Sequence, residues 1–324
     1  MTITSIGHPI LGVRAGWELF ALDGNGVVAV QFSRGRIIRT TVPRLLSDGP
    51  VSFVAARGEA IIRPLDNVPG YLVRDGQPAQ PLTGVLAQGG TLLPGPTLAQ
   101  QWLDSGTLML VGPRGTPEPV RLPIPAYLRA PNQAAIADGR GGLLLAGPAT
   151  AVVYDATPGL LRPIRAGLLA VGPRDWLGMT CDMDCHLEVI GAATGISRVL
   201  PVLSSDGGPW PWQALPGGLW PSRALPGIVS PDGSTAALIV PNVTAGQQAW
   251  LELVSLTSGD AERVTLPVAP GNPSQSLAWS PDSRWLFVVT ANGTLAAVDA
   301  RTGRAQTVGL GMTGLSQIAI RPAG

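Results

Sequence analysis

The sequence predicts an all-β protein and, within that class, a β-propeller. Three observations carry this: short apolar runs bounded by turn residues along most of the chain, one turn pattern that recurs at a blade-like period, and a strand-like segment left over at the C-terminus. The runs include GVVAVQF, PVSFVAA, TLMLVG, GGLLLAG, HLEVIG, TAALIV, AWLELVSL, WLFVVT and TLAAVDA, most of them flanked by Gly, Pro, Asn, Asp or Ser. Strands so spaced, with turn signals between them, mean a sandwich, a barrel or a propeller. The 42 glycines and 32 prolines suit a chain full of tight turns. PTLAQQWLDSG is the best helical candidate, short and flanked by Pro and Gly.

The period selects the propeller. The turn after each third strand reads YDATPG, IGAATG, VSLTSG and VDARTG, ending at Gly159, Gly195, Gly259 and Gly303, so the gaps are 36, 64 and 44 residues. The long gap holds an insertion, SSDGGPWPWQALPGGLWPSR; without it the period approaches the roughly 40–45 residues of a four-stranded blade. Seven units begin near Gly16, Pro50, Gly90, Ala130, Leu168, Leu225 and Gln275, with eight blades as the rival count. The first unit lacks an inner strand, and the C-terminal SQIAIRPAG resembles the SLAWSPDS strand that opens the last. The C-terminus is therefore expected to supply the inner strand of the first blade. That would close a single propeller domain over residues 1–324 and remove two sheet edges.

SPDG at Ser230–Gly233 and SPDS at Ser280–Ser283, each followed by an apolar strand, resemble the WD40-like repeats of TolB-type propellers. VDARTGR also resembles the repeat of quinoprotein-type propellers, in which a Trp follows and docks between blades. Thr307 stands where that Trp would be, with Val199 and Arg263 in the corresponding places of other repeats, which counts against a quinone enzyme. As a whole the chain looks like TolB/WD40-like propellers of actinobacterial type, many of which are exported or membrane-anchored. The resemblance implies architecture far more than activity.

The net charge of +1 provides no electrostatic footprint for nucleic acid. All 22 basic residues are Arg, the residue suited to stacking and to bidentate pairing. No apolar run reaches transmembrane length, and the N-terminal MTITSIGHPILGVRAG lacks a signal-peptide pattern. The expected location is extracytoplasmic or membrane-anchored, by an anchor outside this sequence, and cytoplasmic if the chain is full length.

Motifs for catalysis are sparse. His8 and His186 are the two histidines, and no G-x-S-x-G elbow exists for either to serve. There is no P-loop or Rossmann motif, and GRGGLLLAG reads as a tight turn between strands. SSDGGPW, from Ser204, nearly matches the Asp-box turn of sialidase-like propellers, with Trp210 where Thr is expected. Asn242 and Asn292 open sequons that read as ordinary turns. No catalytic residue, cofactor or metal is expected.

Two features remain. Cys181 and Cys185 flank a short hairpin turn, and facing cross-strand positions lie close enough for a disulfide. A disulfide is favoured over free thiols and over a metal site with Asp184 and His186, and it would fit an extracytoplasmic location. The insertion Ser204–Leu225 carries Trp210, Trp212, Trp220 and Arg223 among four prolines. Trp and Arg are the residues of interaction hot spots, though the same rings would also serve as an inter-blade plug. The other tryptophans, Trp17, Trp102, Trp176, Trp250, Trp279 and Trp285, are expected to pack between blades.

The function this predicts is a non-catalytic binding or scaffold propeller that recognises a protein, peptide or cell-envelope component through one face of the disc. The alternative is an enzyme acting on a glycan or small molecule at the channel mouth, through carboxylates drawn from Glu18, Asp138, Asp175, Asp206 and Glu252.

Overall fold

The computed structural model of the chain describes residues 1–14, 16–43, 45, 52–56, 59–63, 70–74, 76–82, 90–95, 99–103, 107–112, 117–120, 134–146, 153–157, 160–164, 166–181, 185–201, 227–241, 249–268 and 273–322. It is a nearly all-β structure. The chain opens with β1 (Thr2–Ser5), β2 (Trp17–Asp23), β3 (Gly26–Gln31) and β4 (Arg36–Thr41). A second sheet runs through β5 (Ser52–Ala56), β6 (Glu59–Arg63), β7 (Gly70–Arg74) and β8 (Gln80–Leu82). A third runs through β9 (Gly90–Pro94), β10 (Ala99–Leu103), β11 (Leu108–Val111) and β12 (Pro117–Val120). A fourth holds β13 (Ala134–Ala137), β14 (Leu143–Ala146), β15 (Val153–Thr157) and β16 (Leu160–Ile164).

The next eight strands form one sheet of two antiparallel halves. One half is β17 (Gly167–Val171), β18 (Asp175–Cys181), β19 (Cys185–Gly191) and β20 (Ser197–Val199). The other is β21 (Gly227–Val229), β22 (Thr235–Pro241), β23 (Ala249–Ser255) and β24 (Ala261–Val268). A short parallel pairing of β17 with β21, Ala170 opposite Gly227 and Val171 opposite Ile228, joins them. The last sheet holds β25 (Leu277–Trp279), β26 (Trp285–Val289), β27 (Leu295–Asp299) and β28 (Ala305–Thr307). Finally β29 (Gln317–Pro322) returns to the first sheet, whose order is β1-β4-β3-β2-β29.

The expected closure is therefore present: β29 pairs antiparallel with β2 along Trp17–Leu22. The fifth strand, β1, was not anticipated; it covers the outer edge of β4, with Ser5 opposite Arg36. Within PTLAQQWLDSG, the best helical candidate, Ala99–Leu103 is instead a strand paired on both sides, with β9 and with β11. Two flanking strands offer more hydrogen bonds than an isolated helical turn of so short a segment can make.

The sheets stack face to face around a ring. Innermost strands neighbour one another in sequence: β29 lies beside β5, β5 beside β9 and β9 beside β13; β17 lies beside β21, β21 beside β25 and β25 beside β29. Strand alternation sends one set of side chains to each neighbouring sheet. Phe20, Leu22 and Ile38 meet Phe53, Ile62 and Val73 of the second sheet. Leu19 and Ala21 point the other way, into the last sheet with Trp285 and Phe287. There Trp17, Phe32 and Phe287 form an aromatic trio with centroids 4.7, 5.0 and 5.7 Å apart, which seals the ring at its closure. Trp17, Trp176, Trp279 and Trp285 are buried and Trp250 is half-buried, as packing residues should be. The side chain of Trp102 lies outside the described residues.

The repeated motifs are turn chemistry. Ser230 Oγ donates to Asp232 Oδ1 at 2.6 Å and accepts from Thr235 N at 3.0 Å. Ser280 repeats both contacts with Asp282 and Trp285 N, at 2.5 and 2.8 Å. Gly233 takes φ +79°, while its counterpart Ser283 holds the left-handed region at φ 58° as a non-glycine residue. The structure offers a reason: Ser283 Oγ accepts the amide of Asp232 at 3.0 Å, tying the two turns together. Burial pushes the Asp232 carboxyl up, but hydrogen bonds from Ser230, Ser234 and Ser283 outweigh it and hold it below its ordinary value. The aligned turn glycines Gly195, Gly259 and Gly303 all have positive φ; Gly159 lies outside the described residues.

Candidate functional site

One polar row interrupts the apolar face between the first and second sheets. Register places Arg321, Glu18, Gln31, Arg36 and Ser5 opposite one another across β29, β2, β3, β4 and β1. Facing residues of antiparallel strands share a side of the sheet, so this is one continuous rung. With neighbouring strands about 4.8 Å apart, it spans roughly 19 Å from the innermost strand to the outermost.

The inner end is an ion pair. Arg321 donates to Glu18 Oε2 at 2.5 Å, and Gln31 Nε2 donates to Glu18 Oε1 at 2.8 Å. The side chains of Arg321 and Glu18 are only 2% and 9% exposed. The Arg321 guanidinium also lies 4.1 Å from the centroid of the Phe20 ring. Taking both charges out of water is costly, and the pairing together with the Gln31 bond offsets that cost.

The outer end is different in kind. Arg34, in the turn from β3 to β4, and Arg36, the first residue of β4, flank Gly35; Arg34 is exposed and Arg36 half-buried. Among the described residues neither has a hydrogen-bonded or ionic partner. The turn that carries them is fixed. Gly35 adopts φ +56°, Ile6 N donates to its carbonyl at 2.7 Å, and a Cβ there would sit 2.1 Å from the His8 carbonyl oxygen. Only glycine fits both the dihedral and that contact.

These residues line a cleft of about 540 Å³, together with Trp17 and, from the second sheet, Arg74 and Gln77. Its size falls within the roughly 300–1,000 Å³ usual for ligand sites. Arg74 is held by Glu59 at 2.8 Å. With the Arg74–Glu59 and Arg321–Glu18 pairs counted as neutral, Arg34 and Arg36 leave the lining doubly positive. The cleft lies at the end of the sheets where innermost strands turn into second strands. Two sequence-predicted features belong to the other end, by alternation of strand direction. One is the β18–β19 hairpin, where Cys181 stands opposite Cys185 in the register. The other is the end of β20 and the start of β21, between which the sequence carries the insertion. Trp210, Trp212, Trp220 and Arg223 lie outside the described residues, as do the side chains of both cysteines.

The carboxylates considered for catalysis are dispersed. Glu18 belongs to the row just described. Asp138 is buried in the turn between β13 and β14, where its Oδ1 accepts the amides of Arg140 and Gly142, each at 2.7 Å. Asp175 begins β18, and Asp206 lies outside the described residues. Glu252 on β23 is buried, with Arg263 opposite it in the register and stacked over Trp250 at 4.4 Å. Burial pushes the Glu252 carboxyl up, against the opposing pull of the Trp250 indole and of Arg263. Among the described residues no three His, Cys, Asp or Glu side chains gather in a way that could hold a metal ion. No helix of the described residues is long and apolar enough to cross a membrane.

No protein-family model matches the chain, and no curated protein matches it in sequence. Solved structures match its fold. A protein from Lactobacillus plantarum aligns with TM-score 0.55 at 13% identity, covering 94% of this chain and 98% of that one. A putative 6-phosphogluconolactonase from Bacteroides uniformis aligns at 0.54 and 11%, covering 94% and 99%. An oligogalacturonate lyase from Vibrio parahaemolyticus aligns at 0.52 and 12%, covering 90% and 89%. At such identities the likeness concerns architecture alone, and that architecture is the β-propeller.

Proposed function

We propose that the chain is a single seven-bladed propeller that acts as a binding module, and that it recognises an anionic partner through the arginine cleft between its first and second sheets. Seven antiparallel units, counting the eight-stranded sheet as two, and seven apolar clusters that each bridge neighbouring units support the blade count. The observation that carries the function is the pair Arg34 and Arg36, two guanidiniums without described partners held beside a pocket by a rigid turn. Binding rather than catalysis is favoured by the state of the buried carboxylates. Glu18 is committed to Arg321 and Gln31, and one oxygen of Asp138 to turn amides. An acidic peptide or an anionic envelope component has the required chemistry.

The test is capture from cell-envelope extract by the tethered protein and by an Arg34→Ser/Arg36→Ser variant. The same component should be retained by the first, lost by the second and released by salt, since screening weakens exposed charge pairs. Equal capture by both proteins would refute the cleft as the recognition site.

A further inference from the structure

The cleft is built from both ends of the chain. Arg34 comes from the turn before β4 and Arg36 from the first position of β4, whereas Arg321 comes from β29, the strand that closes the ring. We propose that the cleft takes a ligand bearing at least two oxyanion groups, carboxylate or phosphate, and that its binding is linked to closure of the ring by β29. This rests on reading the cleft as the recognition site.

The ligand class follows from the donors. A guanidinium presents a planar fork that matches carboxylate and phosphate oxygens two at a time. Two such forks stand on either side of Gly35, and together they leave two positive charges to neutralise. A singly charged or neutral ligand would leave part of this set unused.

The linkage follows from what β29 removes when it detaches. Arg321 leaves with the strand, and the Glu18 carboxylate stays behind on β2. The uncompensated charge of the lining then falls from +2 to +1, and a carboxylate without its counter-ion faces the ligand's own negative groups. A ligand shifts an equilibrium only by its difference in affinity for the two states, and here the closed state is the one it favours. Terminal strands open locally at less cost than the whole fold. If the open state has no affinity, ligand at 100 times its Kd lowers the open population about 100-fold.

Calorimetry with citrate, pyrophosphate and, as neutral control, glycerol measures binding to the wild type and to the Arg34→Ser/Arg36→Ser variant. Hydrogen exchange then follows the amides of residues 317–321, with residues 286–289 in β26 as reference. The expected result is binding of citrate or pyrophosphate to the wild type alone, with exchange at 317–321 slowed by up to about 100-fold and the reference changed much less. Which anion binds separates carboxylate from phosphate chemistry. Binding that leaves 317–321 unprotected, or protects both segments equally, overturns the linkage and leaves the cleft as recognition site. Binding of neither anion overturns the ligand class; the envelope-capture comparison then shows separately whether the cleft itself was misread.

Discussion

Arg321→Ala probes the row at its most buried point. The substitution removes the guanidinium that meets Glu18 Oε2 at 2.5 Å and leaves a carboxylate that is 9% exposed. Breaking a buried pair from one side costs about 3–5 kcal/mol, because the remaining charge loses its counter-ion without regaining water. The Gln31 bond to the other oxygen survives and should hold the cost toward the lower end. Loss of the guanidinium over Phe20 adds roughly 0.5–1 kcal/mol or more. The expected destabilisation is therefore about 3–5 kcal/mol in equilibrium urea unfolding followed by tryptophan fluorescence. A Glu18→Leu/Arg321→Met variant removes both charges and keeps comparable volume, so it should stay within about 1 kcal/mol of wild type. The single variants Glu18→Leu and Arg321→Met, with this double variant and the wild type, complete a cycle that isolates the coupling. An Arg321→Ala cost below about 1 kcal/mol, or a double variant as unstable as the single ones, would refute the argument that the pair is a dry, mutually compensating unit.

Three further outcomes are expected. Cys181 and Cys185 face each other in the β18–β19 register, so alkylation without reductant, read by mass spectrometry on protein from its native compartment, should label neither thiol; full labelling of both contradicts a disulfide. Replacing Trp210, Trp212 and Trp220 together by Ser should leave the denaturation midpoint nearly unchanged if the insertion is a second recognition element, whereas a loss of several kcal/mol would make it a structural plug. Glu252→Gln should be more stable than wild type near neutral pH. The folded carboxyl titrates above its ordinary 4.5, so its contribution is fully present below that value and is lost as pH rises through the raised one. The advantage of the variant should therefore shrink toward zero below about pH 4, and a pH-independent difference would count against burial as the cause.

Much of the architecture was legible because it is local. Ser-Pro-Asp turns, closing glycines with positive φ and apolar runs of strand length are all written within a few consecutive residues, and SQIAIRP announced the closing strand. The best helical candidate holds the strand Ala99–Leu103 because Gln100 and Gln101 look polar in sequence but are buried in the structure; Gln100 Nε2 donates to the carbonyls of Pro94 and Gly142, each at 2.8 Å. The cleft was scarcely legible. Its members, at positions 18, 31, 34, 36 and 321, meet only through the register of a sheet that joins both ends of the chain. In the sequence Glu18 is one carboxylate among five candidates, with no sign of its partner. A usable signal exists in WELFAL and IAIRP, where a lone charge sits in an otherwise apolar run. Once the two strands are paired, such charges must face each other or be left buried alone.

Closure of the ring by β29 both removes the open edge of β2 and supplies Arg321 to the cleft. A chain ending at Leu315 tests it directly. Thermal unfolding of that chain should begin well below the wild-type transition and lose cooperativity, and size-exclusion chromatography should show association through the unpaired β2 edge. A monomeric truncated protein with the wild-type transition would contradict the closure, and with it the linkage drawn from it.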